Sequence, residues 1–82
     1  MPKLPRDLTG NDLIRVLGKL GYRATRQTGS HVRLTAIVDS KEHHVTVPLH
    51  DPLKAGTLSA ILSDVAVFLH MEKSVLLSRL FG

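Results

Sequence analysis

The chain has 82 residues and no cysteine, with 43% apolar and 22% charged residues. Such a composition excludes disulfide staples and thiolate metal sites and is too apolar for disorder; residues 1–82 read as one small domain with stability on the order of 5 kcal/mol. Eleven Lys and Arg oppose seven Asp and Glu, a net charge of +4, and over residues 1–33 Lys3, Arg6, Arg15, Lys19, Arg23, Arg26 and Arg33 face only Asp7 and Asp12.

That asymmetry favours a polyanionic partner. The basic residues spread over several elements and do not form one amphipathic helix, which speaks for nucleic acid and against a membrane surface. No apolar run approaches the roughly 18 residues of a membrane span. Residues 1–10 lack the apolar centre of a secretion signal, so a cytoplasmic location is expected.

Residues 1–8 carry Pro2 and Pro5 and should run extended. Thr9 then has the character of an N-cap, with Asp12 three residues on as an acidic capping box. Leu13, Ile14, Leu17 and Leu20 follow at helical spacing, Arg15 and Lys19 share the wet face, and Gly21 fits a left-handed stop. Tyr22 to Thr28 reads as a strand and Gly29-Ser30 as a tight turn, with a positive φ expected at Gly29. His31 to Val38 alternates, with Val32, Leu34, Ala36 and Val38 on one side and His31, Arg33 and Thr35 on the other. Asp39-Ser40 marks a second turn. Lys41 to Pro48 is a third strand, with Val45 and Val47 inward and His44 and Thr46 outward; Pro48 should end it or lie on an edge.

After a loop over 50–56, a second helix is expected to begin near Thr57, with Leu58, Ile61, Leu62, Val65, Phe68 and Leu69 as its apolar face. His70-Met71 breaks the run. Glu72 to Leu80 should form a short third helix carrying Val75, Leu76 and Leu80. The order predicts an α+β fold of two layers: a three-stranded antiparallel sheet with helices on one face and the other face wet.

Arg26-Gln27-Thr28-Gly29-Ser30-His31-Val32-Arg33-Leu34, then Val45-Thr46-Val47-Pro48-Leu49-His50, then Lys54-Ala55-Gly56-Thr57-Leu58 resemble the HicA toxins, the RNA-cleaving halves of HicA–HicB toxin–antitoxin modules. The likeness begins near Leu4 and extends through the second helix. It implies a double-stranded-RNA-binding-domain-like fold, a metal-independent endoribonuclease acting on mRNA, and a HicB-type antitoxin that blocks the active site. The histidine of the family's active site falls on His31. Two departures stand out. Ser59 replaces a basic residue common just inside the second helix, and the tail after Val67 is longer and more apolar than in minimal members.

Cleaving RNA without a metal takes a base for the 2′-hydroxyl proton and positive groups on the phosphorane. His31 suits the first task near neutral pH. Arg33, two residues on, and Arg26, across the hairpin, suit the second, because a guanidinium grips phosphate oxygens in pairs. Ser30 either donates to a phosphate or stabilises the turn. Lys54, Gly56 and Thr57 open the second helix, whose free amides form a phosphate seat, with Thr57 also expected to cap. His43 and His44 point to opposite faces and cannot share a metal. His44 either assists on the wet face or stands idle there, His50 matches a family histidine or bonds the loop, and His70 is a helix-end residue. No cofactor or metal is expected.

Two other readings stay open. One is a non-catalytic RNA-binding module that uses the basic face but not His31. The other is an interaction domain built on Phe68, Leu77 and Phe81.

Overall fold

The computed structural model describes residues 4–82 and runs α1 (Gly10–Leu17), β1 (Arg23–Thr28), β2 (His31–Val38), β3 (Lys41–Pro48), α2 (Ala55–Phe68) and α3 (Lys73–Phe81). The extended start predicted for residues 1–8 falls partly on residues 1–3, outside the described residues. Residues 4–9 form neither helix nor strand, and the chain bends at Arg6 and Asp7.

α1 opens with the predicted capping box. The Asp12 N–H donates to Thr9 Oγ1 at 3.0 Å, and the Thr9 N–H donates to the Asp12 carboxylate at 3.1 Å. Hydrogen bonding from the Thr9 backbone and hydroxyl, with Arg15 adding its charge, holds the Asp12 carboxyl below its ordinary value. Gly18–Leu20 tightens into a 3-10 turn, and Gly21 ends it at φ +94, a conformation glycine adopts without a Cβ penalty.

The sheet order is β1-β2-β3, with both pairings antiparallel. Gly29, at φ +58, turns the first hairpin. Asp39 and Ser40, at φ +51 and +67, turn the second. β3 ends at Pro48 and is an edge strand, so the missing proline donor faces no neighbouring strand.

Val32, Leu34, Ala36, Val45 and Val47 form the inner face of the sheet. They meet Leu13, Val16 and Leu17 of α1, Leu58, Ile61, Leu62, Val65 and Ala66 of α2, and Leu76, Leu77 and Leu80 of α3. Extents of 33 × 32 × 18 Å are those of one sheet under one layer of helices, which is the predicted α+β fold. Its helix, antiparallel three-stranded sheet and second helix match a double-stranded-RNA-binding-domain-like arrangement.

β1 and α3 each start one residue later than expected, at Arg23 and Lys73, and the helices differ in two further respects. α2 begins at Ala55, two residues before Thr57, and its N-cap is Lys54, with no side-chain capping bond. Leu53 sets this start: it is buried, and its N–H donates to the Leu8 carbonyl at 2.8 Å. In α3 the buried face is Leu76, Leu77 and Leu80, while Val75 is 43% exposed. The apolar tail therefore closes the core. Leu77 is buried, Phe81 packs against the core, and Phe68 stacks on His43 at 4.5 Å between ring centroids.

His43 of β3 ties α2 and the residue just before β1 together on the inner side. Its Nδ1 lies 2.7 Å from the Tyr22 hydroxyl and its Nε2 lies 3.2 Å from Asp64 of α2. Tyr22 is 2% exposed. Burial, with the Asp64 charge adding to it, pushes the phenol up from 10.0 to about 12. Because the folded value lies above the unfolded one, the fold retains full stability from this group below pH 10.0 and loses it as pH rises toward about 12. Tyr22 is the chain's single tyrosine, so phenolate absorbance reads it directly. A midpoint near 12 in buffer, falling to the ordinary value near 10 in denaturant, is the expected result.

Candidate active site

Alternation in β2 sends His31, Arg33, Thr35 and Ile37 to the face away from the helices. Strand register arranges that face in rows: Thr28–His31–Pro48, then Arg26–Arg33–Thr46, then Arg23–Thr35–His44, then Ile37–Glu42. Successive rows lie roughly 7 Å apart along the strands.

His31 opens β2 directly after the Gly29-Ser30 turn and is exposed. Among the described residues its ring takes part in no hydrogen bond or ion pair. In the neutral ring one nitrogen then keeps a lone pair available to accept a proton.

Arg26 and Arg33 stand directly opposite each other in the adjoining row, both exposed. Cross-strand partners have Cα atoms about 5 Å apart, and like charges so placed repel. Neither takes part in an ion pair among the described residues: Asp12 pairs with Arg15, and the Asp64 and Glu42 carboxylates lie beside His43 and His44. Two guanidiniums next to a free imidazole, on an uncovered face, have the chemistry that suits an anion of phosphate type.

Ser30 lies in the turn, and its carbonyl accepts the Leu49 N–H at 2.7 Å, holding the loop after β3 against the hairpin end. His50 contributes its backbone carbonyl, which accepts the Gly10 N–H at 2.9 Å, while its side chain is exposed. Lys54 and Thr57 lie at the start of α2, at N-cap and N3. The fold thus gathers Arg26, Ser30, His31 and Arg33 at one end of the sheet and leaves Lys54 and Thr57 in the helical layer. No hydrogen bond or ion pair joins these two groups among the described residues. Thr57 does not cap, and Gly56 has open space around it. Ser59 accepts from the Lys73 ammonium of α3. His70 lies in the turn after α2 and its C-cap Leu69, at φ +53.

Sequence reasoning placed Thr35 and His44 on the wet face but not their bonding. The Thr35 hydroxyl lies 2.8 Å from His44 Nδ1 and 2.8 Å from the Thr25 hydroxyl, and His44 Nε2 lies 3.3 Å from Glu42. His44 is therefore not idle. Parity alone could have paired Thr35 with His44; Thr25 gave no such signal. Among the described residues no group of three or more His, Asp or Glu is placed to hold a metal ion, and no helix is long and apolar enough to cross a membrane.

A two-layer α+β domain with an uncovered basic sheet face, and a free histidine at the end of that face, is the class that the fold and site define. The family described as HicA toxin of bacterial toxin–antitoxin matches residues 10–67, from the start of α1 almost to the end of α2, and the chain belongs to that family. It is thus a toxin of a toxin–antitoxin system, which implies a cognate antitoxin. α3 lies wholly outside the matched residues. Comparison with curated proteins and with solved structures yields no match.

Proposed function

We propose that residues 1–82 act as one unit, a cytoplasmic, metal-independent endoribonuclease that cleaves mRNA and is inhibited by a HicB-type antitoxin. The observation that carries this reading is the unrelieved Arg26–Arg33 pair one row from the free imidazole of His31. A phosphodiester seated on the two guanidiniums brings its ribose within reach of His31. His31 removes the 2′-hydroxyl proton, the 2′-oxygen bonds to phosphorus, and the bond from phosphorus to the 5′-oxygen breaks. The proton passes to the 5′-oxygen, leaving a 2′,3′-cyclic phosphate and a 5′-hydroxyl. Ser30 and the α2 start, with Lys54 and Thr57, hold flanking phosphates.

A basic inhibitor-binding face calls for acidic groups on the antitoxin, and electrostatic steering would speed the encounter. Induced expression in a bacterial host tests the toxin reading. Wild type is expected to arrest growth while His31→Ala, folded by circular dichroism, does not. Arrest by both would instead assign toxicity to RNA sequestration on the basic face, the non-catalytic alternative.

A further inference from the structure

Tyr22 and Arg26 make opposing demands on the strand that joins them. Tyr22 is buried, with its hydroxyl on His43. Strict alternation from Tyr22 would turn Ala24 and Arg26 toward the core side. Ala24 does stand opposite the buried Leu34, but Arg26 stands opposite Arg33 on the outer face, because the register shifts between Ala24 and Arg26. The extra residue is Thr25. A β-bulge of this kind leaves its additional residue out of the ladder and bends the strand locally.

Thr25 is held by its side chain. Its hydroxyl lies 2.8 Å from Thr35 Oγ1 and 3.4 Å from the Arg33 carbonyl oxygen. Thr35 continues to His44 Nδ1 at 2.8 Å, and His44 Nε2 reaches Glu42 at 3.3 Å. Glu42, as a carboxylate, only accepts, so His44 Nε2 carries a hydrogen, and in the tautomer with its hydrogen there Nδ1 accepts from Thr35. Thr35 then accepts the one Thr25 hydroxyl hydrogen, which leaves the 3.4 Å approach to the Arg33 carbonyl as a secondary contact. All three strands contribute to this ladder, which lies on the exposed face where the core gains nothing from it.

We propose that Thr25 is a positioning residue, and that the Thr25–Thr35–His44–Glu42 ladder fixes the bulge that carries Arg26 opposite Arg33 to grip RNA phosphate. The assignment rests on the reading of the two arginines as a phosphate clamp. It explains how one short strand anchors Tyr22 in the core and still delivers Arg26 to the other face.

The test is binding of the full chain to a labelled, mixed-sequence 2′-O-methyl RNA, which 2′-oxygen attack cannot cut, over a series of salt concentrations. Thr25→Val keeps a good strand former on an exposed edge and removes only the hydroxyl. It is expected to weaken binding about fivefold, the effect of one lost hydrogen bond, and to flatten the salt dependence in the same sense as Arg26→Ala, whose log–log slope falls by about 1. In the Arg26→Ala background the same change should cost nothing further, because contacts acting through one group are not additive. Thr25→Ser should restore wild-type binding, and Thr35→Val should reproduce the loss from the β2 side. Unchanged binding by Thr25→Val, or an equal loss with Arg26 already absent, overturns the positioning role while leaving the clamp intact. A silent Arg26→Ala would instead remove the clamp, and the positioning role with it.

Discussion

His31→Ala is expected to slow RNA cleavage by the purified chain about 10²- to 10⁴-fold, the usual contribution of a placed general acid or base, while RNA affinity stays near that of wild type. The separation follows from the site. The imidazole is exposed and makes no hydrogen bond or ion pair among the described residues, so its removal breaks nothing in the fold. In the proposed reaction the charge that holds RNA belongs to Arg26 and Arg33, in the next row. Single-turnover cleavage and equilibrium binding, measured on the same RNA, give the two numbers. A parallel fall in both would mean that His31 binds RNA and does not transfer a proton.

Gly10→Ala is expected to be the most damaging small substitution for stability. Gly10 is the first residue of α1 and lies against the end of β3. A Cβ there would clash with the Pro48 carbonyl oxygen, far inside van der Waals contact, and lie only 2.9 Å from Leu49 Cα. Both obstacles are backbone, so neither can swing aside. The Gly10 N–H also donates to the His50 carbonyl, in the loop that the Ser30 carbonyl holds through Leu49. Overpacking against rigid neighbours costs about 3 kcal/mol. For a domain of this size that corresponds to a fall in Tm of roughly 15 °C, read by thermal circular dichroism. Activity per folded molecule should fall too, because the displaced loop is tied to the turn that presents His31. A melting temperature within a few degrees of wild type would show that α1 and β3 can separate without penalty.

Most of the scaffold is readable from local chemistry. Thr9 and Asp12 cap α1 because both bonding partners lie within one turn. Gly21 and Gly29 take the positive φ that their positions demand, and the alternation of β2 sorts Val32, Leu34 and Ala36 from His31 and Arg33. The features that sequence reasoning misplaced depend on contacts between distant segments. Thr57 has good capping chemistry, yet Leu53 enters the core and bonds to Leu8, which starts α2 earlier and leaves Thr57 at N3. Val75 and Leu77 are both apolar, and only the docking of α3 decides which is buried. The bulge at Thr25 has no glycine to announce it. It arises because Tyr22 and the β1–β2 hairpin set opposite parities on one strand. The site follows the same division: His31 and Arg33 can be found from one strand and Arg26 placed across the hairpin, whereas its standing directly opposite Arg33 depends on the bulged register.

The most direct test of the proposed chemistry is the structure of the RNA ends that the purified chain produces in the presence of a metal chelator. Attack by the 2′-oxygen, with His31 as its base, predicts fragments bearing a 2′,3′-cyclic phosphate and a 5′-hydroxyl, detected by mass spectrometry. It also predicts that a single 2′-deoxy substitution at the cleaved position stops the cut there. Fragments ending in a 3′-hydroxyl and a 5′-phosphate, or cleavage that persists at a 2′-deoxy position, would contradict the assignment of the reaction to His31 and the ribose.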